Sequence, residues 1–75
     1  MVANKYNIGD RVRVEIHFLL SPTAVISAII LGILPNTATN NIRYKVAFDQ
    51  KEYYALTMCT NHVVEVDEAD IVGLE

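Results

Sequence analysis

Ala24-Val25-Ile26-Ser27-Ala28-Ile29-Ile30-Leu31-Gly32-Ile33-Leu34 is the stretch on which the fold turns. It is the longest apolar run in the chain, broken by Ser27 and stopped by Pro35. It falls far short of the roughly 20 residues needed to cross a bilayer, so no membrane span is expected. Val25, Ile26, Ile29, Ile30 and Ile33 are β-branched, which favours a strand. Ser21-Pro22 just before it would equally suit the cap and first position of a helix. The strand reading is preferred because both neighbouring segments read as strands. Such a strand is apolar on both faces, so it must be covered on both or shared between subunits. Gly32 marks a bulge or bend, the device by which a barrel strand curls.

Upstream, Val12, Val14, Ile16 and Phe18 alternate with Arg13, Glu15 and His17, the period of a half-buried strand. Ile8-Gly9-Asp10 is the turn that leads into it. Downstream, residues 35–41 are expected to be a polar loop, with Asn40-Asn41 suited to positive φ. Ile42, Tyr44, Val46 and Phe48 alternate with Arg43, Lys45, Ala47 and Asp49 in a further strand. Gln50-Lys51-Glu52 reads as a short turn. Tyr54, Leu56 and Met58 alternate with Tyr53, Ala55 and Thr57, which predicts a hairpin partner for the preceding strand. His62 to Val66 follows as another strand. Asp67-Glu68-Ala69-Asp70 predicts one helical turn, after which Ile71 returns to the core and Val72-Gly73-Leu74 closes the sheet. The expected fold is all-β, a single domain over residues 1–75. Five short strands suit a small closed barrel, because closure removes edges that so apolar a chain leaves exposed at risk.

Gly9-Asp10-Arg11-Val12-Arg13-Val14, then Tyr44-Lys45-Val46-Ala47-Phe48-Asp49, then Val64 to Ile71 resemble the first, third and final elements of SH3-like barrels. That group includes Tudor domains, KOW modules and the type II dihydrofolate reductases. The resemblance implies a single helical turn joining the last two strands. It is one of hydrophobic spacing and therefore speaks to fold, not to function. The type II reductases line their pore with a Val-Gln-Ile-Tyr segment, where this chain has Val63-Val64-Glu65-Val66. KOW-type RNA binding uses a glycine and basic residues in the loop after the first strand, and Leu19 to Thr23 has neither. Very small barrels of this kind are often carried by phages or mobile gene cassettes, which suggests such an origin here.

Charge is unevenly spread. Residues 1–51 hold all six basic residues against three acidic ones, a balance of +3. Residues 52–75 hold six acidic residues and no basic one, a balance of -6. Nucleic-acid affinity comes mainly from lysine and arginine displacing counterions, so this balance argues against it. Cys59 is the sole cysteine, which rules out a disulfide within the chain. That thiol, and an N-terminal stretch without a basic region followed by an apolar one, favour a reducing, cytoplasmic setting.

Few residues suggest chemistry. Cys59 and His62 are three apart, but a metal site needs three or four ligands and no second cysteine exists. No metal or cofactor is expected. Arg13, Glu15 and His17 share one face of the first strand, where alternation predicts a solvated polar surface. Tyr53 and Asp49 are the candidate ligand-binding pair, since an aromatic face beside a carboxylate attracts cationic groups. The acidic end, Glu65 to Glu75, is a second candidate for a basic partner. Each isoleucine left in water forgoes roughly 1.5–3 kcal/mol of burial. Val25, Ile26, Ile29, Ile30 and Ile33 are therefore the expected self-association surface of a homo-oligomer. Two functions follow: a non-enzymatic interaction module that self-associates, or a small-molecule binding protein or enzyme with its site at a subunit interface.

Overall fold

The computed structural model describes residues 5–17, 23–36, 38 and 41–75. Phe18, Ser21-Pro22 and Asn40 of the expected loop lie outside the described residues. Five strands form one antiparallel sheet: β1 (Arg11–Ile16), β2 (Ala24–Asn36), β3 (Asn41–Phe48), β4 (Val63–Asp67) and β5 (Ile71–Leu74). A helix, α1 (Gln50–Thr57), joins β3 to β4, and a 3₁₀ turn (Glu68–Asp70) joins β4 to β5.

The strand order is β4-β3-β2-β1-β5. The sheet is not closed: β4 and β5 stand at its edges without bonding to each other. Yet only Glu68 to Asp70 separate them in sequence. From Asp67 to Ile71 the chain can reach at most about 14 Å, so the sheet has to curl until its edges approach one another. β2 makes that curl. Val12, Val14 and Ile16 of β1 pair with Ala28, Ile26 and Ala24, while Ala28, Ile29 and Ile30 pair with Phe48, Ala47 and Val46 of β3. The register then shifts between Ile30 and Gly32, leaving Leu31 as the extra residue. Gly32 is therefore at a bulge, as expected.

The bulge also resolves the two-faced apolar strand. Before it, Ile26, Ala28 and Ile30 are buried; beyond it, the inward position passes to Ile33, which packs against the core. Strand pairing continues through Pro35↔Ile42 to Asn36↔Asn41, so Pro35 is not in a loop. β1 pairs no further along β2 than Ile29. Ile30 still bonds Gly9 and Asp10 on that side; from Leu31 to Pro35 β2 pairs only with β3 among the described residues, and a proline's missing N–H is tolerated on such an edge.

Val12, Val14, Ile26, Ala28, Ile30, Ile42, Tyr44, Val46, Phe48 and Ile71 make up the core. Tyr44 is its one phenol, and its hydroxyl donates to Glu68 Oε2 at 2.7 Å. Tyr6 meets the Tyr44 ring edge-on, with centroids 5.7 Å apart. This arrangement moors the 3₁₀ turn and Tyr6 to β3.

Residues 50–57 correct the sequence reading: they form a helix, not a hairpin strand. Asp49 caps it, its Oδ1 accepting the Glu52 N–H at 3.0 Å. Met58 ends it in the left-handed region, with φ 60, donating its N–H to Tyr54 C=O. Tyr54, Leu56 and Met58 alternate over too short a span to separate a strand from two turns of helix. Asp49 with Glu52 three residues on has the spacing of a capping box, and that local bond decides the conformation.

Candidate functional site

The curl leaves a cleft of about 330 Å³ across the opening of the sheet. Val14 and Ile16 of β1 and Val64 and Val66 of β4 line it together with Phe48 and Tyr53. Strand alternation puts these four aliphatic side chains on the inward faces. Phe48 ends β3 in the core, and the first turn of α1 returns Tyr53 over it. Their rings stack 4.8 Å apart and 6° from parallel. One face of Tyr53 is thus held by Phe48, so the ring is positioned without needing a ligand.

Glu15, His17, Glu65 and Asp70 complete the lining. His17 Nε2 lies 3.6 Å from both Glu15 Oε1 and Asp70 Oδ1. These side chains are partly solvated, and the pairs are correspondingly weak. Arg43 partly offsets Glu65, with Nη1 3.9 Å from Oε1, and bonds Asp67 Oδ1 through Nε at 3.0 Å. Three carboxylates against one imidazole leave the rim acidic. An apolar, aromatic floor under such a rim favours a cation carrying an apolar stem, because the ring face and the carboxylates attract it while the stem covers the valines.

A second cleft, about 340 Å³, opens elsewhere and is lined by Arg11, Ser27, Ile29, Ala47, Asp49, Glu52, His62 and Glu75 among others. Glu75 is already engaged there, accepting the Ser27 hydroxyl at 2.8 Å and lying 3.9 Å from Arg11.

The candidate pair is thereby divided. Tyr53 lines the cleft at the opening, whereas Asp49 lines the other and uses its carboxylate as a helix cap. The acidic residues that share the lining of Tyr53's cleft are Glu15, Glu65 and Asp70. Glu15 and His17 read as plain surface in the sequence, and Glu65 and Asp70 as part of the acidic end expected to suit a basic partner. Only folding across more than 50 residues brings them together, and no local spacing signals it.

The self-association set is also divided. Ile26 and Ile30 lie in the subunit's own core, Ile33 packs against it, and Val25 and Ile29 face outward. Leu31 and Leu34 join the outward row. Cys59 is exposed, and no bond links it to His62 among the described residues. His62 uses its backbone C=O to accept the Phe48 N–H at 2.9 Å. Among the described residues, no cluster of three or more His, Cys, Asp or Glu side chains is placed to hold a metal ion, and no helix is long and apolar enough to cross a membrane. Compared with known protein families, curated proteins and solved structures, the chain matches none.

Proposed function

We propose that this chain is a small SH3-like barrel acting as a non-enzymatic binding module, and that the cleft at the sheet opening takes a cationic group of a partner protein. The barrel reading draws support from the bulged β2 that serves two neighbours and from the single 3₁₀ turn between the last strands. The observation that carries the binding reading is the stacked Phe48–Tyr53 pair in a cleft that Glu15, Glu65 and Asp70 also line. NMR titration with blocked lysine and blocked trimethyl-lysine tests it. Shifts should concentrate at Tyr53, Glu15 and Asp70, weaken with salt as screened charges do, and shrink in Asp70→Asn. Equal shifts from blocked glutamate would remove the reading.

The outward row on β2 supports self-association as a second reading. Val25, Ile29, Leu31 and Leu34 are each about 40% exposed (43%, 39%, 43% and 40%). A stable interface buries about 800 Å² a side, more than these half-covered side chains offer. Association through this row is therefore weak and concentration-dependent. Light scattering should show dimer growing with concentration, and Ile29→Lys should abolish it. A strict monomer at high concentration removes this reading and leaves the first intact.

A further inference from the structure

The strand beside the cleft has a free backbone edge. Among the described residues β4 pairs only with β3. Phe48 N–H bonds His62 C=O, in the same register as Val46↔Val64 and Tyr44↔Val66. Hydrogen-bonded pairs in an antiparallel ladder recur at every second residue. His62, Val64 and Val66 therefore direct their N–H and C=O groups at β3, and Val63, Glu65 and Asp67 direct theirs away from it. At Val63 the fold compensates locally, since Asn61 Oδ1 accepts its N–H at 3.2 Å. Glu65, in the middle of the strand, has no such substitute among the described residues.

We propose that β4 accepts an extended, basic segment of a partner protein as an additional strand, bonded through the Glu65 backbone and placing a lysine or arginine side chain in the cleft. This rests on the cation-binding reading and adds how the cation is delivered. Strand addition supplies affinity through main-chain bonds, and alternate side chains supply specificity. Partner residues opposite Val64 and Val66 share their face and so point into the cleft, which calls for a basic residue at alternate positions. Charge selects this occupant. Glu65 and Asp67 flank the free edge, Glu15 and Asp70 lie across the cleft, and residues 52–75 contain no lysine or arginine. A second copy of β4 centred on Glu65 would set that carboxylate against its own twin, and like charges directly opposite destabilise a ladder.

The test uses the whole chain and three short blocked peptides. One alternates lysine with valine, one carries the same side chains with N-methyl groups on every second residue, and one replaces lysine by glutamate. The lysine peptide should bind and slow hydrogen exchange at the Glu65 amide. The N-methylated peptide should bind roughly tenfold more weakly, as expected for lost main-chain bonds. Glu65→Pro should weaken the lysine peptide similarly, with Val64 and Val66 amides still protected as proof of folding. Equal binding of plain and N-methylated peptides overturns strand addition while sparing the cation reading. Equal binding of lysine and glutamate peptides overturns both, as does no binding by the lysine peptide.

Discussion

Tyr44 brings a hydroxyl into an otherwise apolar core, and the fold has to answer it. Glu68 does so at 2.7 Å. A carboxylate acceptor makes the bond stronger than one between neutral groups. Tyr44→Phe keeps the ring and deletes the bond, so it should cost about 1–2 kcal/mol in urea unfolding. Loss below a few tenths would show that the bond contributes nothing net. Burial, and then the Glu68 carboxylate, raise the Tyr44 pKa above its usual value. A raised pKa stabilises the fold fully below the ordinary tyrosine value near 10 and loses that contribution as pH climbs through the folded one. Absorbance titration should find Tyr44 ionising above the ordinary tyrosine value, with stability falling as it does. Glycines divide at this scale too. Gly9 has φ 93, and an added Cβ meets no atom, so Gly9→Ala suffers from backbone strain alone, about 1 kcal/mol. At Gly32 an added Cβ would meet Lys45 Cβ at an ordinary 3.7 Å. Gly32→Ala should therefore stay within about 0.5 kcal/mol of the parent in thermal unfolding.

Between β3 and β4, α1 exists because of its cap more than its packing, since none of its residues is fully buried. Tyr53, stacked on Phe48, is its main tie to the core. Asp49→Ala should cost about 1 kcal/mol and selectively raise hydrogen exchange at Glu52 and Tyr53. Uniform exchange increases across β3 as well would mean that helix and sheet unfold as one unit. A second consequence concerns binding: if Tyr53 swings out with the loosened turn, the blocked-lysine shifts should fade in the same variant. β2 carries the opposite logic. Its bulge passes the inward position from Ile30 to Ile33, so one strand serves the core from both parities.

For the molecule as a whole, the small core leaves little reserve. A domain of this size holds only a few kcal/mol of net stability. Ile30 is fully buried where β2 bends, and Ile30→Ala should remove about 2–5 kcal/mol. Circular dichroism should find that variant largely unfolded at room temperature; a native spectrum with an unchanged melting curve would contradict this core assignment. The open seam is the other property of this scale. Full closure would bury the free edge of β4 and the floor of the cleft together. The short 3₁₀ link holds the edges near each other, while the 3.6 Å spacing of His17 from Glu15 and Asp70 shows how polar their rim remains.

Alternation in the sequence determined β1 and β3, because a half-buried strand sorts its residues by period and Val12, Val14, Ile42, Tyr44 and Val46 follow it without error. The turn before Ile71 and the bulge at Gly32 were legible for the same local reason, and α1 was locally encoded in Asp49 and Glu52 though its apolar residues mimic a strand. Tertiary structure alone decided which isoleucines face inward past the bulge, and that Tyr53 should share a cleft with Glu15, Glu65 and Asp70 rather than Asp49. Those meetings depend on how far the sheet curls, and curl is a sum of small twists and one extra residue that no short window contains.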